Sequence, residues 1–142
     1  MDVLLVEDSP GDVRLTREAF RNANKSVQVH VVSNGTEAMA FLRRKGLYAN
    51  APRPKLILLD LSLPEMNGHE VLARVKGDDV LKSIPTVIMT TADWDTDIAN
   101  SYQRQANCYV QKPTHFDAFQ SLVCSINRFW LSQPAQTQTQ TA

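Results

Sequence analysis

The stretch Leu56-Ile57-Leu58-Leu59-Asp60 constrains the fold of this chain more than any other. Four consecutive large apolar residues leave no polar face, so a strand formed there has to be covered on both sides, as happens in the interior of a parallel sheet. Parallel neighbours cannot be joined by tight hairpins and need crossovers, usually helices. The flanking sequence supplies both kinds of element. Asp2 to Val6, Val27 to Val31, Thr86 to Thr90 and Asn107 to Gln111 read as further strands. Ser9-Pro10 reads as an N-cap and first helical residue, opening a helix with Val13, Thr16, Ala19, Phe20 and Ala23 on one face. A second helix is expected from about Thr36 to Lys45, with Ala38, Phe41 and Leu42 inward and Gly46 as its stop. A third follows a turn bracketed by Pro64 and Gly68 and carries Val71, Leu72 and Val75. Asp93 caps a fourth that reaches about Gln105. A fifth opens on Thr114 and Asp117, spaced as a capping box, with a stripe of Phe116, Phe119, Val123, Ile126 and Trp130. Strands alternating with helices specify an α/β fold, a doubly wound parallel sheet of five strands.

Composition agrees with one soluble domain. The 142 residues are 43% hydrophobic and 21% charged, close to the average for folded domains and far from disordered or collagenous chains. Residues 1–130 are expected to form the domain and residues 131–142, rich in Gln and Thr, a polar tail, which leaves no room for a separate output domain. Fifteen Lys and Arg balance fifteen Asp and Glu, so no single-sign field exists to attract nucleic acid or an anionic membrane. The apolar runs fall far short of the ~20 residues that cross a bilayer, and no leader precedes the first strand, so a cytoplasmic location is expected. Cys108 and Cys124 suit neither a C-x-x-C motif nor a disulfide framework and read as packed thiols. His30, His69 and His115 share no metal-ligand spacing.

In doubly wound sheets ligands bind beyond the carboxyl ends of the strands, where the strand order reverses. With order 2-1-3-4-5, Glu7 and Asp8 after the first strand lie beside Asp60 at the end of the third. Two unit charges ~4 Å apart repel by roughly 4 kcal/mol at an effective dielectric of ~20, so three converging carboxylates call for a cation or a large pKa shift. Mg²⁺ fits an all-oxygen set best, with Mn²⁺ or Ca²⁺ as substitutes in vitro. Thr91 and Lys112, after the fourth and fifth strands, add a hydroxyl and an ammonium that together suit an anion. The Lys112-Pro113 bond is of a kind that can be cis and so aim the lysine. Metal, hydroxyl, ammonium and a nucleophilic carboxylate are the parts that accept a phosphoryl group. Taken singly each has a plainer reading: Glu7-Asp8 as a helix-start acid pair, Thr91 as a strand end with Thr90 as rival, Lys112 as a solvated cation.

In combination, Glu7-Asp8, Asp60 with Pro64 and Gly68, Thr91-Ala92 and Tyr109-Val110-Gln111-Lys112-Pro113 resemble the motif set of two-component response regulator receiver domains, over residues 2 to about 130. That resemblance implies the flavodoxin-like receiver fold and assigns roles. Asp60 would be the phosphoacceptor, Asp8 a direct Mg²⁺ ligand, Glu7 a ligand through water and Ser62 a ligand through its backbone carbonyl. Thr91 and Lys112 would bind the phosphoryl oxygens, and Tyr109 would be the aromatic switch that follows Thr91. The segments Leu5 to Leu15, Glu37 to Arg44, Asn107 to Tyr109 and Phe129 to Leu131 resemble more narrowly the single-domain regulators paired with bacterial and cyanobacterial phytochrome histidine kinases. A phytochrome kinase is the partner this implies, and the chain would promote only its own phosphotransfer and dephosphorylation rather than act as an enzyme on other substrates. Pro64-Glu65-Met66-Asn67-Gly68 departs from the usual versions of its loop.

The competing reading is a Mg²⁺-dependent phosphatase with an aspartyl nucleophile. That class needs a second acid two residues after the nucleophile, where Ser62 stands instead. No Gly-rich phosphate loop follows the first strand, which counts against a nucleotide binder. Phe129 and Trp130 extend the last helix beyond one sheet edge, so a homodimer through the fourth helix, fifth strand and fifth helix is expected to cover them.

Overall fold

The computed structural model describes residues 1–60, 68–90, 108–113 and 115–131. Its five strands are β1 (Asp2–Val6), β2 (Gln28–Val32), β3 (Leu56–Asp60), β4 (Thr86–Thr90) and β5 (Cys108–Gln111). All neighbours pair in parallel, in the order β2-β1-β3-β4-β5. The described helices are α1 (Pro10–Ala23), α2 (Gly35–Arg43), α3 (Gly68–Lys76) and the C-terminal helix (Phe116–Ile126), which continues as a wider π turn over Asn127–Leu131.

The period of two along each strand divides the core into two halves. Leu4, Val6, Ile57, Leu59 and Ile88 face α2 and α3, whereas Val3, Leu5, Leu58, Val87 and Met89 face α1 and the C-terminal helix. Leu56 to Leu59 and Val3 to Val6 are fully buried, so the two central strands are covered on both faces, as the apolar run requires. At roughly 25 cal/mol per Å² of apolar surface, this double burial is the main stabilising contribution to the fold. The expected doubly wound sheet and its strand order are therefore what forms.

The helix starts follow capping chemistry. Ser9 Oγ accepts the Asp12 N–H at 3.3 Å with Pro10 in the first turn. Asn34 Oδ1 accepts the Glu37 N–H at 2.8 Å while Glu37 Oε1 accepts the Ser33 N–H at 2.8 Å, a reciprocal cap. Local departures from the sequence reading are instructive. α2 stops at Arg44, not Gly46: Arg44 takes the left-handed conformation (φ 57°) and its N–H closes on Phe41 O. Gly46, also left-handed, opens a short 3₁₀ turn over Gly46–Tyr48. The C-terminal helix is capped by His115 without a side-chain bond, one residue later than the Thr114 and Asp117 spacing predicts. Of its expected stripe, Phe119, Val123 and Ile126 are buried and Trp130 packs at the margin, but Phe116 is exposed, and Leu131 joins the core because the π turn shifts its direction. β2 is Gln28–Val32 rather than Val27 to Val31. The expected helix from Asp93, the Pro64 turn and residues 132–142 lie outside the described residues. Among the described residues no helix is long and apolar enough to cross a membrane.

Candidate phosphoacceptor site

The carboxyl ends of β1, β3 and β5 meet on one side of the sheet and bring three acids and one lysine together, with a fourth acid from α1. Asp60 is the last residue of β3 and Glu7 and Asp8 follow β1 directly, so parallel pairing of Val6 with Leu59 puts their carboxylates at the same level. One oxygen from each of Glu7, Asp8 and Asp60 lies within 4.8 Å of the others. Lys112, just past β5, reaches across the sheet end: its Nζ donates to Glu7 Oε1 at 2.8 Å, Asp12 Oδ2 at 3.0 Å and Asp60 Oδ2 at 3.4 Å. The Lys112-Pro113 bond is trans, so its three carboxylate partners give the lysine its direction.

Burial makes these contacts matter. The side chains of Glu7, Asp60 and Lys112 are 1%, 7% and 9% exposed, while Asp8 is exposed to solvent. Burial raises Glu7 to about 7, and the neighbouring charge of Asp60 pushes the same way, against the hydrogen bond and charge of Lys112. Lys112 moves up from its ordinary value although burial alone would lower it, because Glu7, Asp60 and Asp12 all favour its charged form. The two shifts are compatible: one ammonium shared by three carboxylates stays charged but cannot fully compensate any one of them. Glu7 also accepts the Ser9 N–H at 3.3 Å, which ties the acid cluster to the start of α1.

The donor set fits a hard divalent cation. Three carboxylates within reach of a common point, one of them open to water, match the oxygen ligands and retained waters of Mg²⁺. Glu7, Asp8, Asp60 and Lys112 thus come together as expected. Asp12 belongs with them although the sequence reading singled it out only as part of a longer motif; its signal was an acid in the first turn of a helix whose cap lies beside Asp8. Ser62 and Thr91 lie outside the described residues, as does the side chain of Tyr109, whose backbone pairs with Ile88 in β5. Cys124 is a free, half-buried thiol, His30 pairs with Asp2 at 2.8 Å, and Phe129 and Trp130 stack edge to face at 4.8 Å, Phe129 remaining 60% exposed.

An open acid cluster at the switch point of a 2-1-3-4-5 sheet, gripped by a lysine from the last strand, defines a phosphoacceptor domain of signalling proteins. Residues 3–123 match the response regulator receiver domain family, and the chain belongs to it. Within the family it is similar to regulators of the phytochrome systems. It is 43% identical over 129 residues to the response regulator Rcp1 of Synechocystis sp., covering 91% of this chain and 88% of that protein. The crystal structure of the phosphorylated cyanobacterial phytochrome response regulator RcpA is 46% identical and superposes with a TM-score of 0.85, covering 93% of this chain and 94% of that one. The Mn²⁺-bound form of Rcp1 gives 42% and 0.82, covering 92% and 94%.

The raised Glu7 carries a sign for stability without metal. A carboxyl that holds its proton more tightly folded than unfolded contributes stability fully below its ordinary 4.5, and that contribution is lost as pH rises through about 7. Urea unfolding in the presence of a chelator is expected to show stability falling by on the order of 1–3 kcal/mol between about pH 5 and pH 8. Glu7→Gln should flatten that slope, and an unchanged slope in this variant would show that Glu7 does not titrate as described.

Proposed function

We propose that Asp60 accepts a phosphoryl group from a phosphohistidine of a sensor histidine kinase, and that the kinase is a phytochrome. The observation that carries the reading is Lys112 Nζ bridging the carboxylates of β1 and β3 at 2.8 and 3.4 Å. An Asp60 oxygen attacks phosphorus, the P–N bond to the imidazole breaks, and the imidazole leaves with the bonding electrons. Water later attacks the acyl phosphate and releases inorganic phosphate, restoring Asp60. Such transfer depends mainly on alignment and on neutralising charge on three oxygens. Lys112 supplies one positive charge next to the acceptor oxygen. Asp8, Asp60 and the Ser62 carbonyl would hold Mg²⁺ directly and Glu7 through water; bound there, the ion lowers the repulsion between carboxylate and incoming phosphoryl group. The similarity to RcpA and Rcp1 supports both the acceptor role and a phytochrome partner.

The switch follows from the same charges. Once a doubly charged group sits on Asp60, Lys112 gains a partner stronger than Glu7 or Asp12, Thr91 moves to the phosphoryl oxygen, and Tyr109 fills the space vacated. Moving a population from 1:99 to 99:1 takes about 5.5 kcal/mol of differential interaction. The readout is a homodimer through the fourth predicted helix, β5 and the C-terminal helix. The half-exposed Phe129 and Trp130 pair supports this surface, since burying each aromatic contributes roughly 1.5–3 kcal/mol. Residues 1–131 form the switching unit, one residue more than the expected 1–130 because Leu131 is buried in the core, and residues 132–142 are a polar tail, in the cytoplasm.

Incubation with acetyl phosphate and Mg²⁺ is expected to add one phosphate to the wild type and none to Asp60→Asn, read as intact mass. Lys112→Ala should accept phosphate yet keep the amide spectrum of the unmodified protein. Phosphate retained by Asp60→Asn would overturn the assignment. Sedimentation of wild type and Phe129→Ala/Trp130→Ala, each with and without a phosphoryl mimic, should show weaker self-association in the double variant; a wild type monomeric in both states rules out the dimer.

A further inference from the structure

The two edges of the sheet differ in kind. β5 adjoins the phosphoacceptor site and the surface proposed for dimerisation, whereas β2 forms the opposite edge and meets the site only where Val32 bonds the backbone of Glu7. The register shows which of its groups are satisfied. Gln28 N–H donates to Met1 O at 2.7 Å and Val32 O accepts from Glu7 N–H at 3.0 Å. In a strand the N–H and C=O of one residue point the same way and alternate along the chain. Gln28, His30 and Val32 therefore bond to β1, and the N–H and C=O of Val29 and Val31 point outward from the sheet. An edge of this kind is usually blocked by proline, an inward charge or a bulge. None of these occurs in Gln28–Val32.

The surroundings of that edge are built asymmetrically. Two cavities, of about 460 and about 600 Å³, meet along β2 and share Arg17, Val29 and His30. On the α1 side the lining carries Arg17, Arg21 and Lys25 and no carboxylate. Arg21 pairs with Glu18 at 3.0 Å, which leaves Arg17 and Lys25 as the cations of this lining without an ion pair among the described residues. On the α2 side, beyond the shared Arg17 and His30, the lining carries no charge: Phe41, Tyr48, Ala51 and Pro52 stand with Asn50, and Leu47, 99% exposed, is on the rim. Tyr48 stacks on Phe41 at 5.5 Å, so this wall is pre-formed.

We infer that the β2 edge is a docking site for an extended segment of a partner protein, which adds as a sixth strand and alternates acidic with apolar residues. Outward backbone groups at Val29 and Val31 give it main-chain hydrogen bonds. Because successive side chains of an added strand point to opposite faces, its acids meet Arg17 and Lys25 while its apolar residues meet Phe41, Leu47 and Tyr48. A second copy of this chain is the poorer occupant. Pairing β2 with β2 about a two-fold axis would set the cationic α1 faces of both copies against one another without supplying acids.

The full chain, ¹⁵N-labelled, is titrated with a synthetic peptide alternating Glu and Val, and separately with its Lys and Val counterpart. The Glu peptide is expected to shift the Val29 and Val31 amides and slow their exchange, and the Lys peptide to leave them unchanged. Arg17→Glu/Lys25→Glu should weaken binding roughly tenfold at low salt. Val31→Pro should abolish it, since it removes an outward donor and spares the ladder to β1. The charge variant decides the matter if the proline variant does not fold. Equal binding of both peptides, shifts confined to other residues, or self-association through Val29 and Val31 without peptide would each overturn the inference.

Discussion

One ammonium group shared among three carboxylates organises this molecule's chemistry. Without Lys112, the acids that β1, β3 and α1 bring together would repel one another, and the buried Glu7 would hold its proton more tightly still. With it, Glu7 sits near neutrality and Lys112 stays firmly charged. The arrangement is under-compensated, since three carboxylates share one ammonium and a fourth, Asp8, stands beside Glu7 and Asp60. A divalent cation is the addition that relieves such an imbalance, and the acid set that would hold it sits at the ends of the central strands. Packing and site geometry are thus joined: the buried run ending in Asp60 stabilises the sheet and also places the Asp60 carboxylate at the switch point.

Much of this was legible in the chain itself, for a physical reason. A strand buried on both faces has no alternative reading, so Leu56–Asp60 announced a parallel sheet, and a parallel sheet places strand-end residues together regardless of loop detail. Glu7, Asp8, Asp60 and Lys112 were found that way. Asp12 was harder to see because it approaches Lys112 from the first turn of a helix, not from a strand end, and an acid there is ordinary helix chemistry. The end of α2 escaped notice because a left-handed arginine is rarer than a left-handed glycine, and Gly46 stood two residues beyond it. Leu131 joins the apolar stripe because the π turn over Asn127–Leu131 adds residues to the helical repeat, which no fixed period anticipates, while Phe116, the first residue of the helix, is exposed.

The open β2 edge was invisible to periodicity for a different reason. Alternating valines say which side chains face the core, whereas the direction of backbone groups depends on which neighbour a strand pairs with. Only the observed register with β1 shows that Val29 and Val31 turn their hydrogen-bonding groups outward. The sheet thus has two unlike edges: β5 leads into the Lys112 site, whereas β2 turns the backbone groups of Val29 and Val31 outward.

Phosphotransfer to this site requires an Asp60 oxygen as the acceptor, and chemical trapping of the acyl phosphate tests that identity most directly. Borohydride reduction after treatment with acetyl phosphate and Mg²⁺ converts a phosphorylated aspartate to homoserine, which peptide mass mapping locates. Homoserine in place of Asp60, formed only when Mg²⁺ is present, is the result expected; homoserine at Asp8 or Asp12, or equal conversion of Asp60 in chelator, would contradict the site described.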